Sequence, residues 1–391
     1  MKILMINSVC GIRSTGRICT DLASALEARG HEVRIAYGRE EVPEKFQKYA
    51  VRIGRSVDIY LHVLKARLTD GAGLGSRRAT EKFIKWVKQY NPDVIHLHNI
   101  HGYYINIEVL FEYLRTCGKK IIWTLHDCWA FTGHSALCDM VGCRKWEEGC
   151  KNCPQLSEYP KSLVDHSESN YRLKKNIFSG VPNLEIVTPS EWLAGQTRKT
   201  FLAEYEIKVI KNGIDTSVFC PTDSSFRKEN YLENRFVALG VSNVWNQTKG
   251  FSDYIKLATM LPENFCIVLV GVTKKQKKKL PPNMIGIERT NNQRELAALY
   301  TTADCFVNLT YCDTYPTVNL EALACGIPVL TYDTGGSSES AGETGYVFPK
   351  GDIQSVAEFL LQHTDMPTID SAVKHYKEML EDYCEIYNVI N

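Results

Sequence analysis

The stretch DTYPTVNLEALACGIPVLTYDTGGSSE, residues 313–339, decides how the chain is read. The run FVNLTY leads into it and reads as a strand, closed by the polar turn Asp313-Thr314. Leu320, Ala322, Leu323 and Ala324 then read as a short helix. Gly326 supplies its stop, because glycine takes a positive φ without steric cost. IPVLTY is a second apolar strand, and it ends in the turn Gly335-Gly336. The amino end of a helix carries unpaired N–H groups and partial positive charge, which suits it to phosphate; here that end lies near Pro316 and Thr317. Glu321 sits about one turn inside, where a carboxylate can accept hydrogen bonds from ribose hydroxyls. Strand, turn, helix with acid and Gly-Gly together describe a nucleotide pocket at the carboxyl edge of a parallel sheet. A plainer reading of Glu321, as a helix cap or solvated acid, stands beside it.

The same cadence fills the chain. KILMIN, HEVRIAY, DVIHLH, KKIIWTLHD, LEIVT and EIKVI read as strands separated by helical stretches, and FVALGV, NFCIVLVGV and IGIER restart the pattern. A length of 391 residues accommodates two α/β domains, each with its own core. Hydrophobic content of 44% and charged content of 23% fit a globular protein, and a net charge of +1 excludes a general nucleic-acid binder. Met1-Lys2 runs straight into ILMIN without a signal-peptide pattern, and no apolar run approaches the roughly 18–20 residues of a membrane span. A cytoplasmic location is therefore expected, with the fourteen cysteines as thiols, core residues or metal ligands rather than a disulfide frame.

Several residues carry candidate chemistry. Gly11 and Gly16 lie in the first strand-to-helix loop, as a phosphate cradle or as a structural turn, with Ser14 or Thr15 capping the helix that follows. A helix over about 56–68 carries Ile59, Leu64 and Leu68 on one side, with Lys65, Arg67, Arg77 and Arg78 nearby, as a solvated face or as a seat for an anionic carrier or membrane. Alternation points His96 and His98 to one side of their strand. His101, Tyr103 and Tyr104 read as an acceptor-side wall or as core and capping residues. His126-Asp127 ends the strand IIWTLHD, so His126 can present its ring at the sheet edge. Cys138, Cys143, Cys150 and Cys153 form a C-x4-C-x6-C-x2-C array of the kind that holds structural zinc. Lys249 follows the strand FVALGV and can face a diphosphate, KKQKKK reads as an exposed loop, and Asp352 caps a helix to about His363. Ile369, Val373, Tyr376, Leu380, Tyr383 and Tyr387 recur at helical spacing, giving an amphipathic terminal helix.

Two acids separated by seven residues, Asp313 and Glu321, followed by LEALACGIPV and GGSSE, resemble the retaining glycosyltransferases of family 4. The passage NGIDTSVFCP, residues 212–221, is similar to that family's interdomain passage, and WTLHDCWAFTGH with the following GC…CPQ resembles a bacterial polysaccharide-biosynthesis subgroup. The resemblance implies an α/β protein of the GT-B type, with two Rossmann-like doubly wound domains facing a central cleft. It implies an acceptor-side domain at 1–211 on which a terminal helix, 367–391, packs, and a nucleotide-sugar-binding domain at 212–366. The implied reaction moves a hexosyl group from a nucleotide-diphosphate sugar to a glycan or lipid-linked saccharide in surface polysaccharide biosynthesis. Non-catalytic sugar-nucleotide binding and nucleotide-sugar epimerisation on the same fold are the alternatives. His126, Asp313 and Glu321 are the implied catalytic residues, and Gly11, Gly16, Lys249, Arg289, Pro316, Thr317, Gly335, Gly336 and Glu339 the implied donor contacts. The chain departs from the pattern twice: Asp313 replaces a glutamate, and Val244 stands where an arginine precedes Lys249, leaving Arg289 or Arg294 to supply that cation. No Asp-x-Asp pair occurs, so no catalytic metal or cofactor is expected, only structural zinc, with peripheral association at the cytoplasmic membrane face through a lipid-linked acceptor.

Overall fold

Every strand pairing in the computed structural model is parallel, in two separate sheets, and the structure describes residues 1–370 and 373–387. The first sheet contains β1 (Lys2–Ile6), β2 (Glu32–Tyr37), β3 (Ala50–Arg52), β4 (Val94–Leu97), β5 (Lys120–Thr124), β6 (Leu184–Thr188) and β7 (Glu206–Val209), in the order β3-β2-β1-β4-β5-β6-β7. The second contains β8 (Phe236–Val241), β9 (Phe265–Val270), β10 (Met284–Ile287), β11 (Cys305–Asn308), β12 (Val329–Tyr332) and β13 (Tyr346–Phe348), in the order β10-β9-β8-β11-β12-β13. The strand order reverses at β1 in one sheet and at β8 in the other. Connections on the two sides of such a strand leave on opposite faces, which opens a crevice at its carboxyl end. This is the GT-B architecture of two Rossmann-like units.

Parallel sheets are covered on both faces, so their strands read as unbroken apolar runs. All six residues of β9 are buried. Alternation divides β8 and β9 alike: Val237, Leu239, Cys266 and Val268 enter one core, and Ala238, Ile267 and Leu269 enter the other. Both three-residue strands, β3 and β13, lie at sheet edges and went unread, because three residues carry too little periodicity.

The chain divides into two compact units, Met1–Lys211 with the described part of Leu380–Asn391, and Asn212–Met379. Within the second unit Ile214 bridges His375, so the chain enters and leaves that unit side by side. The terminal helix spans Tyr376–Tyr387. Ile369 and Val373 precede it and pack instead on the core of the second unit, while 371, 372 and 388–391 of the expected helix lie outside the described residues. Tyr383 and Tyr387 are buried against the first sheet. The Tyr387 hydroxyl lies 2.6 Å from His96 Nδ1, and the Tyr383 hydroxyl lies 3.0 Å from Thr124 Oγ1, which also meets His96 Nε2 at 2.8 Å.

Two local expectations change. The first helix starts at Arg13 without a side-chain cap, so Ser14 and Thr15 lie inside it, and Thr15 Oγ1 accepts from Asn7 Nδ2 (3.4 Å). On the helix Ser56–Thr69 it is His62 and Ala66 that face the body of the unit, leaving Leu64 and Leu68 exposed and Ile59 only half-buried. His62 Nε2 accepts from the Gly73 and Gly75 amides (3.1 and 3.0 Å), so a buried imidazole rather than an aliphatic row anchors this helix.

Tyr387→Phe strands His96 Nδ1 in the core, and an unsatisfied buried polar atom costs about 1–3 kcal/mol. Scanning calorimetry is expected to show a lower unfolding midpoint for this variant than for Tyr60→Phe, whose hydroxyl is exposed; equal midpoints would contradict the anchoring role.

Candidate active site

In the second unit the crevice lies where β8 and β11 diverge, and the loops that follow them are fastened together. The Tyr311 amide donates to the Thr248 carbonyl (2.8 Å), and Thr334 Oγ1 donates to the Thr310 carbonyl (2.9 Å). The Gly336 amide donates to the Asp313 carbonyl (3.0 Å). A Cβ on Gly335 would stand 1.9 Å from that same carbonyl oxygen, and its φ of +56° is left-handed, so only glycine lets the Gly-Gly turn close on Asp313. Gly250 is constrained likewise, with a φ of +69° and a would-be Cβ 2.1 Å from the Leu309 carbonyl.

These fastenings place Lys249 and Asp313 side by side, with Nζ 2.6 Å from Oδ2. Both side chains are partly exposed, and a pair of that kind is worth about 0–1 kcal/mol. An incoming diphosphate can therefore compete for Lys249 at small cost. Asp313 serves here as the tether of the lysine. The helix Thr317–Ala324 begins beside it, with Pro316 at its N-cap, and Gly326 follows its end with a φ of +86°.

Glu321 is 5% exposed, which removes the solvated-acid reading. The Tyr300 hydroxyl donates to its Oε2 (3.0 Å). Burial, and then the charge of Glu321, push the Tyr300 hydroxyl well above its usual range, so it stays a donor. Asn319 sits one helix face away: its Nδ2 donates to Ser340 Oγ (2.9 Å) and the Ser337 carbonyl (3.2 Å), while its Oδ1 accepts from Asn308 Nδ2 (2.8 Å). It thereby staples the helix Thr317–Ala324 to β11 and to the helix Ser337–Ala341, which carries Glu339. Burial and the nearby Glu339 charge raise Tyr315 to about 12. Neither Tyr300 nor Asn319 was singled out from sequence; an asparagine and a tyrosine at helical core positions were the available signal. Arg289 is exposed just beyond β10, an edge strand that β9 separates from β8.

In the first unit a polar cluster forms at the carboxyl ends of β4 and β5. His98 Nδ1 lies 3.0 Å from His126 Nε2, and the two rings stack at 5.3 Å. His98 Nε2 is buried without a partner. A stranded N–H is costlier than a bare lone pair, which puts the proton on His98 Nδ1, makes His126 Nε2 the acceptor and leaves His126 its proton on Nδ1. Burial lowers His126 to about 4 and His96 to about 3, and holds His98 well below the usual imidazole range, so the ladder is neutral near pH 7. His101 Nε2 meets Asp127 Oδ2 (2.7 Å), and His101 Nδ1 meets the Tyr159 hydroxyl (3.0 Å). Burial pushes the Asp127 carboxyl up, but His101 and the Trp129 amide together hold it below the usual range.

Of the acceptor-side residues, Tyr104 is buried and its hydroxyl donates to the Asn99 carbonyl (2.8 Å), and Tyr103 is buried edge-on against His62. Gly11 spends its amide on the Gly16 carbonyl (3.1 Å), and a Cβ on Gly16 would touch Val9, so both glycines close the loop structurally.

The four-sulfur site is also corrected. The Cys128 amide donates to the Ala136 carbonyl, which folds Cys138 back onto Cys128, and the two form a disulfide while the other twelve cysteines remain free. Among the described residues no three His, Cys, Asp or Glu side chains come together as metal ligands. The loop is braced otherwise. Lys174 Nζ donates to the Trp129 and Thr132 carbonyls (2.7 and 3.0 Å) above the Trp129 ring, its pKa lowered to about 7 by burial, and His134 pairs with Asp70.

The profile of Glycosyltransferase Family 4 matches residues 15–218, and that of Glycosyl transferases group 1 matches residues 222–379. The chain belongs to glycosyltransferase family 4. Among curated proteins it is 24% identical over 264 residues to the putative colanic acid biosynthesis glycosyl transferase WcaC of Escherichia coli, covering 65% of this chain and 63% of that one. It is 26% identical over 206 residues to N-acetyl-alpha-D-glucosaminyl L-malate synthase of Bacillus anthracis, covering 50% and 54%. The match thus spans less than two thirds of each relative's length. Among solved structures, sucrose-phosphate synthase of Thermosynechococcus elongatus superposes with a TM-score of 0.73 at 15% identity, over 99% of this chain and 98% of that one. Anabaena HepE, solved with UDP-glucose, superposes with a TM-score of 0.67 at 16% identity over the whole of both chains. These likenesses show the fold.

Tyr300→Phe is expected to raise the KM for donor severalfold with little change in kcat, as measured by initial rates, because it frees Glu321 to leave its productive rotamer; an unchanged KM would remove Tyr300 from the site. Stability should fall on acidification. Between about pH 6.5 and 4 the unfolded imidazoles bind protons that folded His96 and His62 (lowered by burial to about 3 and about 4) do not. The sign makes unfolding free energy rise with pH across that window, by up to about 1.4 kcal/mol per unit per histidine. Urea midpoints at pH 5 and pH 7 check it, and a His96→Gln variant should show a flatter dependence.

Proposed function

We propose that the protein transfers a hexosyl group, with retention, from a nucleoside-diphosphate sugar to a glycan or lipid-linked saccharide during polysaccharide assembly. The observation that carries this reading is the second unit's pocket. There a loosely paired Lys249 stands beside a helix amino end, and a buried carboxylate, Glu321, is aimed by Tyr300. Glu321 accepts from the ribose hydroxyls. Lys249 and the amides that open the helix at Thr317 receive the departing diphosphate as the bond from anomeric carbon to phosphate oxygen breaks. The oxocarbenium-like sugar is taken by the acceptor hydroxyl, whose proton passes to the leaving diphosphate oxygen. Neutral His126, protonated on Nδ1, is a hydrogen-bond donor suited to a sugar hydroxyl, and Glu339 bears on the sugar side of the second unit's pocket.

The names of the relatives support this reading: one is described by colanic acid biosynthesis, and another is solved with UDP-glucose. Among the described residues no helix is long and apolar enough to cross a membrane, and peripheral action at the cytoplasmic membrane face belongs to the proposal. A second reading, sugar-nucleotide binding without transfer, draws on Val244, which is 63% exposed and brings no charge to the diphosphate side.

A panel of nucleotide-sugars screened by thermal shift, followed by hydrolysis assays on the best binder, tests both. Donor turnover is expected, and Glu321→Ala should weaken donor affinity about tenfold or more, since a charged hydrogen bond is worth roughly 1.5–3 kcal/mol. Tight binding without turnover would favour the second reading, and unchanged affinity in Glu321→Ala would overturn the pocket assignment.

A further inference from the structure

Five of the thirteen large apolar side chains exposed among the described residues sit on one helix, Ser56–Thr69. Val57, Tyr60, Leu61, Leu64 and Leu68 fall at i, i+3, i+4, i+7 and i+11, which at 3.6 residues per turn is a single stripe. Their exposure runs from 53% to 74%. The opposite face, His62 and Ala66, is the one packed on the unit, so the outward stripe is surplus to the fold. Leu163, 76% exposed, is tied to the far end of the helix by its amide on the Arg67 carbonyl (2.8 Å) and extends the apolar surface.

Charge frames the stripe. Lys65 and Arg67, both exposed, project on its two flanks. At the other end, Val57 forms part of the wall of a hollow of about 580 Å³ that Arg52, Arg55, Arg78 and Lys82 also line, with Trp86 and Phe83 at its apolar side. Asp58 is the one acid in that lining, and its carboxylate is engaged by the Arg55 amide (2.7 Å). An apolar stripe edged by cations is the arrangement of a helix lying in the plane of an anionic lipid interface. A second copy docked on the same patch would set these cations against one another across a two-fold axis, which disfavours it.

We propose that this face docks on an anionic phospholipid bilayer, with Val57, Tyr60, Leu61, Leu64, Leu68 and Leu163 entering the headgroup boundary and the basic hollow receiving lipid phosphates. The docking extends the reading of a lipid-linked acceptor and rests on that reading for its purpose, while its evidence is the helix itself. It holds the catalyst at the surface that presents such an acceptor.

The test is co-sedimentation of the full chain with vesicles of phosphatidylcholine mixed with phosphatidylglycerol, against vesicles of phosphatidylcholine alone. Wild type is expected to pellet with the mixed vesicles and to be released by salt. Leu61→Glu/Leu64→Glu and Arg55→Glu/Arg78→Glu should each lose about tenfold or more in apparent affinity, with circular dichroism and hydrolysis of donor in solution unchanged. Wild type remaining in the supernatant, or the leucine variant binding as wild type does, would overturn the proposal. So would light scattering that shows a dimer broken by the leucine variant, since that assigns the face to a second copy. Intact donor turnover without vesicle binding defeats the docking alone; vesicle binding without any turnover defeats the transferase reading alone.

Discussion

The contact between the Asp313 carbonyl and the Gly335-Gly336 turn governs the second unit's site. It admits no side chain at 335, and it draws the loop after β12 onto the loop after β11. The Thr248 carbonyl draws the loop after β8 onto the same place through Tyr311 and Thr310. Three connections are thereby fixed at the one position where the strand order reverses, before any ligand arrives. The charges they carry inherit that rigidity: Lys249 is poised by a cheap partner, and Glu321 is held in the wall by Tyr300. Binding energy that would otherwise order the loops remains for the ligand.

The first unit uses a different device at the equivalent edge of its sheet. Its polar groups are stacked imidazoles kept neutral by burial, linked downward through His96 to Tyr387 of the terminal helix. Because Tyr383 and Tyr387 supply the hydroxyls that satisfy β4 and β5, the last helix completes the interior of a unit whose other elements end at Lys211. Its ring stack gives His126 a defined orientation, and the adjacent Asp127 meets His101.

Residues whose type has few structural uses were legible in the sequence. The central strands, the Gly326 stop and the Gly335-Gly336 turn follow from patterns that few conformations satisfy, and Glu321 was legible as a helix acid although not as a buried one. What was not legible depends on partners far along the chain. Tyr300 and Asn319 look like ordinary helix residues until the helices carrying them pack together. The cysteine array reads as a metal site by spacing, but a local turn hands Cys138 to Cys128, and the loop is then held by Lys174 and by the Asp70–His134 pair. The helix Ser56–Thr69 was legible as carrying apolar residues on one side, but not that the structure turns Leu64 and Leu68 outward and buries a histidine in their place.

The central claim is that the crevice at the carboxyl ends of β8 and β11 receives a sugar nucleotide. A crystal structure of the full chain with a bound nucleoside-diphosphate sugar tests it most directly. The account predicts ribose hydroxyls within hydrogen-bond distance of Glu321, and the diphosphate against Lys249 and the amino end of the helix Thr317–Ala324, with Lys249 drawn toward it from Asp313. A nucleotide bound elsewhere, with Lys249 still closed on Asp313 and Glu321 untouched, would contradict it.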